Sequence, residues 1–168
     1  MEIDFITSHH TKTKRNYLER VNKVNKAESA VKAKKWDYDY WDGSRDINYG
    51  GYKYDGRWEP IAKKMIDHYK LKSDSKILDV GCGKGFILYE FKKLLPNSEI
   101  KGLDISSYAI KNAKDEVKKD LVLGHANSLP FEKNYFDLVI SLNTLHNLYC
   151  YDMKKALLEI ERVGKSNK

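Results

Sequence analysis

Cysteine is scarce in this 168-residue sequence, with only Cys82 and Cys150 present. Two thiols cannot build a disulfide framework or a four-ligand zinc site, so a reducing, cytoplasmic setting is the expectation. Apolar runs are short as well, and none approaches the ~20 residues of a membrane span. The stretch MEIDFITSHHTKTKR has no apolar signal core, which argues against secretion. There is no internal repeat and no low-complexity tract. His9 and His10 have no partners at metal-ligand spacing and read as part of an arm, not a metal site.

What is present is a polar but globular composition, 41% hydrophobic and 33% charged, long enough for one domain with an appended arm. The net charge of +7 is unevenly spread: residues 1–35 hold nine Lys/Arg against four Asp/Glu, whereas the other 133 residues hold 22 against 20. A basic arm can track nucleic-acid phosphates or an anionic surface. The alternative, a solvated helix face, is the more general use of such charge. Tyr17, Val21, Val24 and Val31 recur near helical spacing, predicting an amphipathic helix over 15–34 that docks on the body as readily as on nucleic acid.

Three regions follow: a basic helical arm over 1–35, an aromatic segment with a leading helix over 36–75, and an α/β domain over 76–168. The segment from Trp36 to Trp58 holds all three tryptophans and five of the twelve tyrosines. Its glycines at 43, 50, 51 and 56 argue against a continuous helix, so an ordered loop is expected, packed on the body or closed over a ligand. Pro60 opens a helix with Ile61, Met65, Ile66 and Tyr69 inward. Strands and helices then alternate. KILDV (76–80), EIKGLD (99–104), a short strand at 121–124 and FDLVIS (136–141) read as strands. Helices read over 86–95, from Ser106 or Ser107 with Ile110, Ala113 and Val117 inward, and over 152–162 with Ala156, Leu157 and Ile160 inward. Repeated β-α-β predicts a Rossmann-like parallel sheet with helices on both faces.

The sharpest local signal is Asp79-Val80-Gly81-Cys82-Gly83-Lys84-Gly85 at a strand-to-helix junction, with Asp104 closing the next strand 19 residues beyond Gly85. Glycines there let backbone approach a ligand closely, and an acid at the second strand's end can accept from both hydroxyls of a ribose. Its plainer role is a turn or capping carboxylate. A mononucleotide P-loop fails, because Lys84 is followed by Gly85 and not Ser or Thr. A dinucleotide loop wants a third glycine where Phe86 stands. The third candidate is S-adenosylmethionine, which has ribose and adenine but no pyrophosphate.

ILDVGCGKG, GLDIS and LPFEKNYFDLVISLNTLHNL, in that order, resemble the successive motifs of class I S-adenosylmethionine-dependent methyltransferases, the methyltransferase type 11 group in particular. The resemblance implies that Asp79, Gly81, Cys82, Gly83 and Gly85 form the cofactor loop. It implies that Asp104 holds the ribose diol and Ile105 lies against the adenine. In GHANSLPF the family usually has an acid where His125 stands, leaving a neutral imidazole nitrogen or the backbone of Ala126 and Asn127 to meet the adenine amino group. Asn143 follows the FDLVIS strand at the crevice where acceptor and cofactor meet.

Methyl transfer from a sulfonium is an in-line displacement, helped by positioning, desolvation and, for an oxygen or nitrogen acceptor, a general base. His146 is the candidate base, with a structural role as the alternative, and Asn143 a candidate catalytic contact. Tyr49, Tyr52, Tyr54 and Trp58 could surround the sulfonium with π faces. No acceptor-specific motif such as NPP[YF] is present, which favours a small-molecule acceptor, a sugar or lipid precursor, over nucleic acid. The alternatives are a non-catalytic module that binds S-adenosylmethionine or a nucleotide, and a nucleic-acid methyltransferase that uses the basic arm. The resembled sheet has strand order 3-2-1-4-5-7-6, and only strands one to four can be placed. The tail from Val163 to Lys168 is too short and polar for the rest, so a fragment, a truncated product or completion by another chain is expected. Residues 136–141 would then be an exposed edge open to self-association.

Overall fold

A computed structural model describes residues 3–7, 25–45 and 50–166. It comprises two compact units, Met1–Arg57 and Trp58–Lys168. In the first, helix α1 spans Lys26–Ala33 and is capped by Asn25, whose side chain accepts from the N–H groups of Ala27 and Glu28. Of the helix expected over 15–34, the described part is α1, which starts at Lys26 after extended backbone at Asn25; residues 15–24 lie outside the described residues. Val31 is exposed and Ser29 and Ala33 are buried, which corrects the expected inward face. Tyr17, Val21, Val24, His9, His10 and most of the basic arm lie outside the described residues.

A short helix α2 (Tyr38–Trp41) follows, capped by Asp37. Its rings gather into an aromatic cluster: Trp36 meets Tyr40 edge-on at 4.7 Å, and Tyr52 stacks on Tyr40 at 5.5 Å. Main-chain bonds from Gly50 N–H to the Tyr40 carbonyl and from Tyr52 N–H to the Trp41 carbonyl, 2.8 Å each, close the loop. Among the four rings expected around the sulfonium, Tyr52 thus packs within its own unit, and Tyr49 lies outside the described residues.

The second unit is built on strands β1 (Lys76–Val80), β2 (Glu99–Asp104), β3 (Leu121–Leu123) and β4 (Leu138–Ile140), all parallel in the order β3-β2-β1-β4. Strand periodicity divides the residues between two faces. Leu78, Val80 and Leu103 join Phe136, Ala156 and Val163 in one buried cluster. Ile77, Asp79, Ile100, Gly102 and Asp104 point the other way, where the fully buried Leu88 and Phe91 of helix α4 (Phe86–Leu94) pack. Helix α3 (Glu59–Tyr69) buries Ile61, Ala62 and Met65, but leaves Tyr69 exposed.

Two helices differ from expectation. The one predicted from Ser106 or Ser107 through Val117 is split into α5 (Ser107–Lys111) and α6 (Asp115–Lys118). At the break, Asn112 turns its side-chain amide back to the Tyr108 carbonyl at 2.8 Å, the competition with main-chain bonding that short polar side chains offer. Ala113 and Val117 are still buried. Helix α7 runs over Cys150–Val163 and buries Ala156 and Val163, whereas Leu157 is 49% exposed, not inward. Arg162 anchors α7 by donating to the carbonyls of Phe131 and Leu129 at 2.8 and 2.9 Å, while Glu159 accepts from Leu129 N–H at 2.7 Å.

Strand β4 is the sheet edge, but it is not bare. Gly164 forms a parallel bridge with Phe136, and Lys165 N–H donates to the Phe136 carbonyl at 2.8 Å. The Lys165 ammonium also pairs with Asp137 at 2.6 Å. The tail thus adds one isolated bridge and, among the described residues, no further strand, because α7 returns the chain alongside the start of β4.

Phe136 is the keystone of this corner, fully buried with Phe131 and Tyr135 edge-on at 5.2 and 5.0 Å. Phe136→Ala is expected to cost about 3–5 kcal/mol of unfolding free energy, read by urea denaturation. A loss below about 1 kcal/mol would place the core elsewhere.

Candidate functional site

The carboxyl ends of β1 and β2 are joined by one carboxylate. Asp104, at the last position of β2, accepts from Gly83 N–H at 2.7 Å through Oδ2 and from Ser106 N–H at 2.8 Å through Oδ1. The glycine loop is further held by N–H bonds from Gly81 and Cys82 to the Leu103 carbonyl at 2.7 and 3.1 Å. Ser106 then caps α5 by accepting from Ala109 N–H at 3.0 Å. Of the plainer roles weighed for Asp104, the turn is present, whereas the cap of α5 is Ser106.

Gly81 adopts φ +86, in the left-handed region, and a Cβ there would fall on the side chain of Thr144. The loop after β4 thus covers the first glycine, and a side chain at 81 would fail on both conformation and space. Gly83 and Gly85 also lie at positive φ, 53 and 71.

Asp79, the Asp104 neighbour across the sheet face, is buried and its Oδ1 has no hydrogen-bond partner. Burial, with the Asp104 charge adding to it, pushes its pKa up to about 8. Burial also raises Asp104, opposed by the N–H groups of Ser106, Gly83 and Ile105. Cys82 is buried over Gly102, whose lack of a Cβ makes room for the sulfur, and burial holds its thiol well above the ordinary range. It is a packing residue in the protonated form.

The remaining expected residues fall at the same end of the sheet or behind it. Ile105 is 51% exposed beside Asp104, an apolar surface of the kind a flat ring can cover. Gly124 N–H donates to the Asp104 carbonyl at 2.9 Å, which brings the loop 125–129 to the neighbouring strand end. In that loop His125 Nδ1 accepts from Asn127 N–H at 3.4 Å, and the Asn127 amide donates to Asp152 of α7 at 2.8 Å. Ala126 is turned into the core. Asn143 is exposed at φ 55, and His146 is exposed on a 3-10 turn over Leu145–Asn147. Sequence reasoning missed Thr144 and Asp152, whose partners Gly81 and Asn127 are distant along the chain and carry no local signal.

The profile of the methyltransferase domain family matches residues 78–167. That is more than half of the 168 residues, and the chain belongs to this family, in its class I, S-adenosylmethionine-dependent branch. Demethylmenaquinone methyltransferase of Staphylococcus carnosus is 35% identical over 108 residues, 61% of this chain and 44% of that protein. The mitochondrial arginine-hydroxylase NDUFAF5 of Mus musculus is 33% identical over 116 residues, 67% of this chain and 33% of that protein. The chain therefore spans less than half the length of either relative. The crystal structure of an S-adenosylmethionine-dependent methyltransferase from Aquifex aeolicus has the same fold, with TM-score 0.53 and 21% identity over 85% of this chain and 69% of that one.

The residues fit that family's cofactor. S-adenosylmethionine is cationic at sulfur and at its amino group, and a buried carboxyl oxygen without a partner at Asp79 ionises more readily when a cation lies beside it, which suits a cationic ligand. Asp79 also sets a pH signature. Its folded pKa is raised, so its contribution to stability is complete below the ordinary carboxyl range and is lost as pH rises toward about 8. Asp79→Asn is expected to flatten the fall of Tm between pH 5 and pH 8, as measured by thermal melts across that range. A parent and variant with parallel pH profiles would contradict the assignment.

Proposed function

We propose that the chain holds S-adenosylmethionine for methyl transfer to a small-molecule acceptor. The observation that carries this reading is the carboxylate pair at the glycine loop: Asp104 is fixed by Gly83 and Ser106 N–H groups, and Asp79 has an unpartnered oxygen beneath it. Two buried acids disfavour a nucleotide pyrophosphate, and Phe86 occupies the place where a dinucleotide loop wants glycine. Asp104 retains lone pairs for the ribose hydroxyls, since each carboxylate oxygen can accept more than one bond. Ile105 offers its side chain to the adenine, and the main chain of Gly81, Cys82, Gly83 and Gly85 lies against the methionyl part.

When bound, the cofactor supplies an electrophilic methyl on a sulfonium. This chain's residues position and desolvate it. Burial of Asp79 and Asp104 sets a low-dielectric floor, where a cation gains more from a carboxylate than it would in water. Asn143 and His146, on the loop after β4, are the groups offered to the acceptor. Asn143 presents an amide for orientation, and His146 presents an imidazole that can take the acceptor's proton as the bond to carbon forms. The absent acceptor motif supports a small molecule over a macromolecule, and the demethylmenaquinone named for the Staphylococcus carnosus relative is one example of the class.

Asp104→Asn is expected to weaken S-adenosylmethionine binding by about 100-fold or more in calorimetric titration, the loss associated with a charge-assisted contact. Unchanged affinity in a folded variant would refute the reading. Once an acceptor is in hand, His146→Gln is expected to lower kcat by about 100-fold with little change in cofactor affinity. An unaltered pH-rate profile in that variant would remove His146 from the chemistry.

A further inference from the structure

Helix α7 is apolar on two sides. Ala156 and Val163, with Ile160 packed beside them, turn to the sheet and join its buried cluster. The opposite side carries Leu157, Leu158 and Tyr151, which are 49%, 56% and 66% exposed. Tyr151, Lys154, Leu158 and Glu161 recur at the three- and four-residue steps of a seam between paired helices, with Leu157 on its flank. None of these holds α7 on the body. Arg162 and Glu159 do so, paired with each other at 2.6 Å and bonded to Leu129 and Phe131, and Asp152 accepts from Asn127 at 2.8 Å. On the outer side, Lys155 lies over the Tyr151 ring at 6.0 Å. Lys154 and Glu161 are exposed there, and neither is in an ion pair among the described residues.

We propose that this face is where a second copy of the chain docks, α7 against α7 in antiparallel order about a two-fold axis between Leu157 and Leu158. The order of charges selects that occupant. Lys154 lies three residues before Leu157, and Glu161 three residues after Leu158. An axis between the leucines therefore sets Lys154 of each copy opposite Glu161 of the other, with the leucines of both copies between the two ion pairs. A parallel pair would set lysine on lysine and glutamate on glutamate. A two-fold interface has to be self-complementary, and this pattern is. The β4 edge is a poorer seat for a second copy. It is three residues long, Phe136 beside it is already bridged to Gly164, and the Lys165–Asp137 pair puts charges there. On α7, leucine burial supplies the attraction and the charges fix the direction. The seam is about 21 Å long, short for a permanent interface, so a weak dimer that forms at micromolar concentrations is expected. Cofactor binding is not required for it.

The test is sedimentation velocity of the full chain between about 2 and about 200 µM. The parent is expected to pass from monomer to dimer across that range. A monomer throughout, or open-ended growth beyond the dimer, overturns the proposal, and this measurement needs no variant to fold. Lys154→Glu and Glu161→Lys are each expected to weaken dimerisation by about tenfold or more, because each turns both ion pairs into like-charge contacts. An equal mixture of the two variants restores both pairs across the axis, so it is expected to dimerise within about threefold of the parent. Folded single variants that dimerise as the parent does, or a mixture no better than its components, would put the contact on another face, such as the β4 edge, and overturn the proposal.

Discussion

The site depends on one carboxylate. Asp104 closes β2 and takes the N–H of Gly83 on one oxygen and that of Ser106 on the other, at 2.7 and 2.8 Å. These two bonds hold the glycine loop of β1, the end of β2 and the cap of α5 in one arrangement. Together with the bonds from Gly81 and Cys82 N–H to the Leu103 carbonyl, they hold the left-handed backbone at Gly81, Gly83 and Gly85 in a single shape. The charge is buried, and buried charge is tolerated only where hydrogen bonds replace water. Asp79 lies in the same floor without that compensation at Oδ1, and its raised pKa is the measure of what it lacks. A cationic ligand relieves the pair.

Around this centre the protein is layered in the ordinary way for a parallel sheet. Leu78, Val80 and Leu103 face α7, and Ile77 and Ile100 face α4, so the apolar strands that precede the site carry its stability. Thr144 reaches Gly81 from the loop after β4, and Arg162 ties α7 to the stretch before β4. The loop after β4 is thereby tied to the same corner that Phe136 fills. The glycine loop and the segment after β4 are linked by packing and by hydrogen bonds from Thr144 Oγ1 to the Gly81 carbonyl at 3.4 Å and from Ser141 Oγ to the Val80 carbonyl at 2.8 Å.

The strands were legible in the sequence because a buried parallel strand is a short apolar run between turn residues, and four such runs are present. The glycine loop and Asp104 were legible because their spacing reports a fixed strand-to-strand geometry. Asn25 and Asn112 were not, since each ends or breaks a helix through its side chain where the hydrophobic period runs on. Val31 and Leu157 show the same limit: spacing names an apolar stripe, but the neighbouring element decides which members it covers. Thr144 over Gly81 and the return of Gly164 beside Phe136 arise from residues distant in the chain, where no local pattern reports them.

The central claim is that two buried acids at the glycine loop select a cationic adenosyl ligand over an anionic one. Competition on the same chain between S-adenosylmethionine and ATP, followed by displacement of labelled S-adenosylmethionine at neutral pH, tests it directly. The account predicts that unlabelled S-adenosylmethionine displaces the label and that ATP at about 100-fold higher concentration does not. ATP binding as tight as S-adenosylmethionine would contradict it.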